Sequence, residues 1–177
     1  MENNEELDAT EYLMSTDTNK RALDESIKQL EGGKGIRVTF QEVDLTNSEL
    51  FKSFSEFEHE ALYIDLHNEF YCKSILFSNE TRQLILFFKP NKYCACKINS
   101  VEVVFGDCSI EKYFSNLDKT GPESQTIDMM YRGRFEMNNG ELEEVSNNGL
   151  YYYYINFLPD VSFELFARSV KANVNII

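Results

Sequence analysis

Asp65, His67 and Glu69 alternate along the chain and could together act in acid–base catalysis or bind a metal ion. Alternate residues of a strand point to the same face, so a strand through this run would gather two carboxylates and an imidazole. Such a group can exchange protons with a substrate or bind a divalent cation, and His59 lies close by in the sequence. Metal sites usually need three or four convergent ligands, and this run with His59 would supply that number. A small enzyme or a metal-binding domain is therefore one alternative for the function of the chain.

Four cysteines form the second group of reactive residues: Cys72, Cys94, Cys96 and Cys108. Cys94 and Cys96 would share one face of a strand, but the chain lacks the Cys-x-x-Cys pairs that are typical of zinc knuckles. It also lacks a Gly-rich phosphate loop and a nucleophile elbow. Because no signal peptide is visible, we predict free thiols in a reducing cytoplasm, with neither a metal nor a cofactor.

The composition is that of an acidic globular protein. The chain has 177 residues, 42% of them hydrophobic, and a formal net charge of −13. Phosphate repulsion then disfavours direct binding of nucleic acid, whereas a basic protein partner would be attracted. No apolar run approaches the roughly 20 residues of a membrane span, so we expect no membrane contact.

The chain around these residues is predicted to divide into a leader, residues 1–35, and a β-rich globular domain, residues 36–177. A strand is predicted over 36–40. Residues 47–61 are predicted as a helix, since Leu50, Phe51, Phe54, Phe57 and Ala61 form an i, i+3/i+4 stripe. The further predicted strands are 62–66, 71–77, 83–89, 93–105, 127–137, 150–157, 161–168 and 170–176. Residues 115–126 are predicted as an exposed loop.

Short hairpin connections favour an antiparallel arrangement of these strands. So many strands must curl to hide one apolar face. The predicted fold class is therefore α+β and mainly antiparallel β. It would comprise a curled sheet, either a sandwich or an open barrel, with one covering helix and an N-terminal amphipathic helix.

The leader contains the signals of one short amphipathic helix. Ser15 or Thr16 can cap its N-terminus, and Gly32 and Gly33 can end it. The apolar stripe is Leu23, Ile27 and Leu30. A helix this short is marginal alone in water, so its stripe must be buried against something. The alternatives are this protein's own domain or another protein.

Residues 11–35 of the leader contain a recognisable pattern: Tyr12-Leu13-Met14-Ser15, Asn19, Leu23, Ser26-Ile27, Leu30 and Gly33-Lys34-Gly35. Through these residues the leader resembles the toxin-neutralising C-terminal segment of Phd/YefM-type antitoxins. The resemblance implies that the segment wraps a ribonuclease toxin of the RelE/YoeB class. The implied partner-binding residues are Tyr12, Leu13, Met14, Asn19, Leu23, Ile27 and Leu30. In these antitoxins a DNA-binding domain precedes the segment, whereas only ten residues precede it here, so promoter binding is not implied.

The domain itself resembles the β-rich immunity proteins of bacterial polymorphic toxin systems, through Asp65-Leu66-His67-Asn68, Leu84-Ile85-Leu86-Phe87-Phe88 and a final hairpin. The run Tyr151-Tyr152-Tyr153-Tyr154 would send two rings into the core and two outward. The outward pair would either form an interface or pack across strands.

These patterns together predict a non-enzymatic bacterial antitoxin or immunity-type protein that binds and neutralises a toxin. The toxin that they favour is a basic nuclease. Two alternatives stay open at this point. The Asp65/His67/Glu69 group could serve an enzyme or metal-binding domain, or the helix could pack against its own β-domain, whose function would then be unknown.

Overall fold

The computed structural model describes residues 16–31, 39–59, 61–115, 125–158 and 160–177. The chain divides into two compact units, Met1–Arg37 and Val38–Ile177. The first unit contains helix α1, Asp17–Glu31.

The described residues of the second unit form thirteen strands. They are β1 (Thr39–Asp44), β2 (Glu56–His59), β3 (Leu62–Asp65), β4 (Phe70–Ser78), β5 (Gln83–Pro90), β6 (Ile98–Gly106), β7 (Ser109–Ser115), β8 (Thr126–Gly133), β9 (Phe135–Glu136), β10 (Leu142–Glu143), β11 (Tyr151–Leu158), β12 (Val161–Ala167) and β13 (Ser169–Ile176).

Two antiparallel sheets carry the core. Sheet I has the strand order β1-β13-β6-β5-β4, and sheet II has the order β7-β12-β11-β8. Two small hairpins, β2–β3 and β9–β10, pair outside these sheets. The prediction of a mainly antiparallel fold is confirmed, and the sheets do not close into a barrel.

The core lies between the two sheets because apolar residues alternate along their strands. In β5 the inward side chains Leu84, Leu86 and Phe88 are completely buried. The ring of Phe88 stacks on Phe157 of sheet II with 6.4 Å between centroids. Burial at every second residue is the pattern of a sheet packed on one face.

The predicted helix over residues 47–61 is wrong. Phe51 N donates to Arg132 O at 2.8 Å and Phe54 N donates to Met130 O at 2.7 Å, so the segment bonds to β8. Residues 56–59 form β2. The backbone N–H groups of Phe51 and Phe54 thus bond to β8 and not to carbonyl groups one helical turn earlier. Aromatic residues are also common in extended segments.

Other predicted boundaries differ in ways that matter for the site. Residues 91–97 form a connection ahead of β6, although a strand was predicted to start at 93. Strand β7 was not predicted at all. Most of the predicted loop 115–126 lies outside the described residues.

Candidate functional site

Helix α1 starts at a side-chain cap. Thr16 Oγ1 accepts a hydrogen bond from Asn19 N at 3.2 Å, and Thr16 O accepts one from Lys20 N at 3.0 Å. Asp17 in the first turn and Lys28 in the last turn both complement the helix dipole. The predicted cap and helix are therefore confirmed, with Thr16 as the capping residue.

The described part of the helical stripe is exposed. Leu23 and Ile27 each keep 43% of their surface accessible, and Asn19 is exposed as well. Residues four apart lie on the same side of a helix, so these three share one face. Leu30 belongs to α1, but its side chain lies outside the described residues, as do Tyr12, Leu13 and Met14 entirely.

The Asp65, His67 and Glu69 side chains do not form the predicted cluster. Strand β3 ends at Asp65, and a turn follows, so the alternation of a strand is lost. Asp65 accepts hydrogen bonds from Asn68 N at 2.9 Å and Asn68 Nδ2 at 2.7 Å. His67 Nδ1 donates to Ile127 O at 2.6 Å. Asp65 and His67 therefore serve the turn and its attachment to β8.

Glu69 lies instead beside two cysteines. Its carboxylate and the sulfur atoms of Cys94 and Cys96 all lie within 4.8 Å of one another. The two sulfur atoms are paired as a disulfide, with 5.5 Å between the Cα atoms. Cys72 and Cys108 are free and buried, so the prediction of four free thiols is correct for these two and wrong for Cys94 and Cys96.

The tyrosine run alternates as predicted. Tyr153 is completely buried and meets Phe105 of sheet I with 5.4 Å between ring centroids. Tyr152 packs edge-on to Phe166 at 5.7 Å, and Tyr154 packs on Tyr131 at 5.3 Å. The outward pair thus packs across neighbouring strands, which is the second of the two predicted alternatives.

Gly133 makes room for this aromatic packing. A Cβ atom at this position would lie 3.2 Å from a ring carbon of Tyr152 and 3.3 Å from one of Tyr131. Burial is the main cause that raises the pKa of the Tyr152 hydroxyl, followed by the nearby Glu164 carboxylate. The raised pKa favours the protonated hydroxyl, which can donate a hydrogen bond to Glu164.

An apolar groove of about 650 Å³ lies between the edges of the two sheets. It is bounded by β4 and β7, the strands at one end of sheet I and sheet II, respectively. Val161 and Phe163 belong to its lining, and Phe77 and Tyr113 beside them are 41% and 55% exposed. Sequence reasoning missed the groove because it requires two strands that are distant in the chain, one of which was not predicted.

The chain matches no known protein family, no curated protein and no solved structure. In the described part of the chain, no helix is long and apolar enough to span a membrane.

Proposed function

We propose that the protein is a non-enzymatic antitoxin or immunity-type protein that binds and neutralises a toxin. The exposed stripe of helix α1 carries this proposal. Leu23 and Ile27 lie one turn apart on a capped helix and are each 43% exposed. A toxin groove that covered this stripe would remove both side chains from water.

The energetics of α1 favour a partner. The helix has 15 residues, a length at which isolated helices are marginal. Burying a leucine or isoleucine side chain stabilises a complex by about 1.5–3 kcal/mol. Two such anchors supply a stabilisation comparable to the cost of ordering a short segment.

The charge of the whole chain favours a basic toxin. A net charge of −13 attracts proteins that must themselves be basic to hold RNA. Ribonucleases of the RelE/YoeB class meet this requirement, and they are the partners that the resemblance of the leader implies. The full partner surface would then comprise Tyr12, Leu13, Met14, Asn19, Leu23, Ile27 and Leu30, acting in the cytoplasm without contact to nucleic acid.

The test is a double substitution in the full-length protein. Leu23→Asp with Ile27→Asp places two charges on the stripe, and it should weaken inhibition of the proposed RelE/YoeB-class toxin by about 100-fold or more. Inhibition is measured as residual RNA cleavage at increasing molar ratio, and as growth of cells that express both proteins.

The control is Arg21→Asp, which changes the net charge by the same two units on the opposite side of α1. It should inhibit as the wild type does. The proposal fails if the double variant protects as well as the wild type, or if the wild-type protein does not restrain the toxin.

A further inference from the structure

Residues 91–97 bring two cysteines to a carboxylate from a different loop. The sulfur atoms of Cys94 and Cys96 and a carboxylate oxygen of Glu69 lie within 4.8 Å of one another. In the described ranges this is the only group of three or more His, Cys, Asp or Glu side chains that meets such a limit. All three residues belong to the second unit, and none of them is part of the groove lining.

Hydrogen bonds that do not involve sulfur hold the two loops together. Asn91 N donates to Glu69 O and Asn91 Nδ2 donates to Asn68 O, each at 2.8 Å. Within the connection itself, Tyr93 N donates to Asn91 Oδ1 at 2.8 Å, which fixes the side chain of Asn91. Glu69 and the cysteines consequently stay close together even if the bond between the sulfur atoms is broken.

The three side chains are half-buried. Cys94 and Cys96 pack against the edge of the core, and Glu69 is neither fully exposed nor fully covered. Among the described residues, the Glu69 carboxylate has neither a hydrogen-bond partner nor a salt-bridge partner. Partial burial removes some of the hydration of this carboxylate, and a bound cation would offset that loss.

Reduction of the disulfide would turn this group into a ligand set. Two thiolates and a carboxylate repel each other at this distance, and a divalent cation between them removes the repulsion. Thiolates favour soft or borderline cations such as Zn²⁺. Tetrahedral ligands at a Zn–S distance of about 2.3 Å lie roughly 3.8 Å apart, which fits within the observed spacing.

We propose that the reduced protein binds one Zn²⁺ ion through Cys94 Sγ, Cys96 Sγ and a carboxylate oxygen of Glu69. The fourth position of the tetrahedron is left for water or for a ligand from a partner. Oxidation to the disulfide removes two of the three ligands, so the site binds metal only in the reduced state.

The chemistry balances with a phosphine as the reductant. The phosphine attacks the disulfide, the S–S bond breaks, and water converts the phosphine to its oxide while two thiols form. Zinc binding then releases two protons as both thiols become thiolate ligands. Oxidation of the two thiolates back to the Cys94–Cys96 disulfide needs a two-electron oxidant, such as an added disulfide compound that is itself reduced to two thiols. This oxidation releases the metal ion.

The other two cysteines provide an internal contrast. Cys72 and Cys108 are 1% and 2% exposed. Burial raises the pKa of each thiol to about 12. Both are therefore unsuited to forming thiolate ligands at neutral pH.

The test uses the full-length protein, reduced with a phosphine and titrated with zinc against a chromophoric chelator. We expect one Zn²⁺ per chain in the reduced protein and none in the oxidised protein. Co²⁺ in place of zinc should give the sulfur-to-cobalt charge-transfer band and the visible bands of tetrahedral coordination.

Single variants identify the ligands. Cys94→Ser and Cys96→Ser should each weaken zinc binding at least about 100-fold. Even the loss of a residue that only hydrogen-bonds to a metal ligand typically lowers metal affinity about 10–100-fold. Glu69→Gln should weaken it about 10-fold or more and keep the charge-transfer band. Glu80→Gln, an exposed acid in the turn after β4, is the matched control and should bind as the wild type does.

Circular dichroism and the unfolding midpoint of each reduced variant show whether it is folded. The proposal is overturned if the reduced wild type binds no stoichiometric zinc, if the oxidised protein binds it equally well, or if both serine variants retain wild-type affinity. The proposal is independent of toxin binding, which these measurements do not involve.

Discussion

At the scale of single residues, the four cysteines of this chain divide by environment into two kinds. Cys72 lies in β4 and Cys108 just before β7, both among apolar core residues. Desolvation is the first cause that raises the pKa of both thiols to about 12. Cys94 and Cys96 lie at the edge of the core on a connecting loop. Two cysteines are thus inert packing groups and two are placed for redox or metal chemistry.

The buried thiols predict a loss of stability at alkaline pH. Between about pH 9 and 12 the unfolded chain releases a thiol proton that the folded chain keeps, so the free energy of unfolding falls as pH rises. Each thiol contributes a slope of about 1.4 kcal/mol per pH unit in this window. Below the unfolded pKa the contribution is fully present.

Urea unfolding from neutral pH to about 10.5 measures this slope. Cys72→Ala should be less stable than the wild type at neutral pH because it leaves a cavity, yet its stability should fall less steeply with pH. An unchanged slope in this variant would show that Cys72 titrates alike in the folded and unfolded chains.

At the scale of elements, the segment between β1 and β2 is the one whose structure depends most on its neighbours. Phe54 is 6% exposed and meets Tyr153 at 6.1 Å, whereas Phe51 is 63% exposed. Phe51 also has a positive φ of 58°, which ends any helical path at this residue. A helix with the predicted stripe would have buried both rings on one face.

Two alanine substitutions separate these arrangements. Phe54→Ala should lower the free energy of unfolding by about 3–5 kcal/mol, because it empties a buried site in the core beside Tyr153. Phe51→Ala should change it by about 0.5 kcal/mol or less. Chemical denaturation measures both values, and equal losses in the two variants would favour the helical stripe.

At the scale of the whole molecule, the net charge would govern the encounter with the proposed basic partner. The net charge of −13 corresponds to a pI of about 4.6. Some acidic groups are paired on the surface, as in the Asp107 carboxylate, which lies 2.9 Å from Arg82 and 3.0 Å from Arg168. The excess of acidic residues remains and produces a long-range attraction for basic proteins.

This attraction predicts a salt-dependent association rate with the proposed basic toxin. Raising the ionic strength from about 0.02 to 0.5 M should slow association about tenfold or more, because the Debye length shortens severalfold. Dissociation should change much less, since the Leu23 and Ile27 contacts are apolar. Stopped-flow mixing measures both rates, and an association rate that ignores salt would contradict electrostatic steering.

The parts of this protein that follow from short-range signals were predictable from the sequence. Helix α1 has its cap at Thr16 and its stripe within the same few turns, so each signal acts on its neighbours. Strands such as β5 and β12 show alternation, and Gly140 and Gly149 adopt the positive φ that their turns require. None of these features needs knowledge of a distant residue.

Tertiary structure alone decided the features that join distant parts of the chain. The edge of β8 binds the backbone of Phe51 and Phe54, and β3 pairs with residues 56–59. The segment predicted as a helix is therefore not helical, because open backbone groups of a strand bind whatever segment lies alongside. The turn after β3 separated Asp65, His67 and Glu69, and the connection before β6 brought Glu69 to Cys94 and Cys96. The groove exists because β4 and β7 end different sheets. Local periodicity contains no information about such contacts, since strand pairing is set by packing between elements far apart in the sequence.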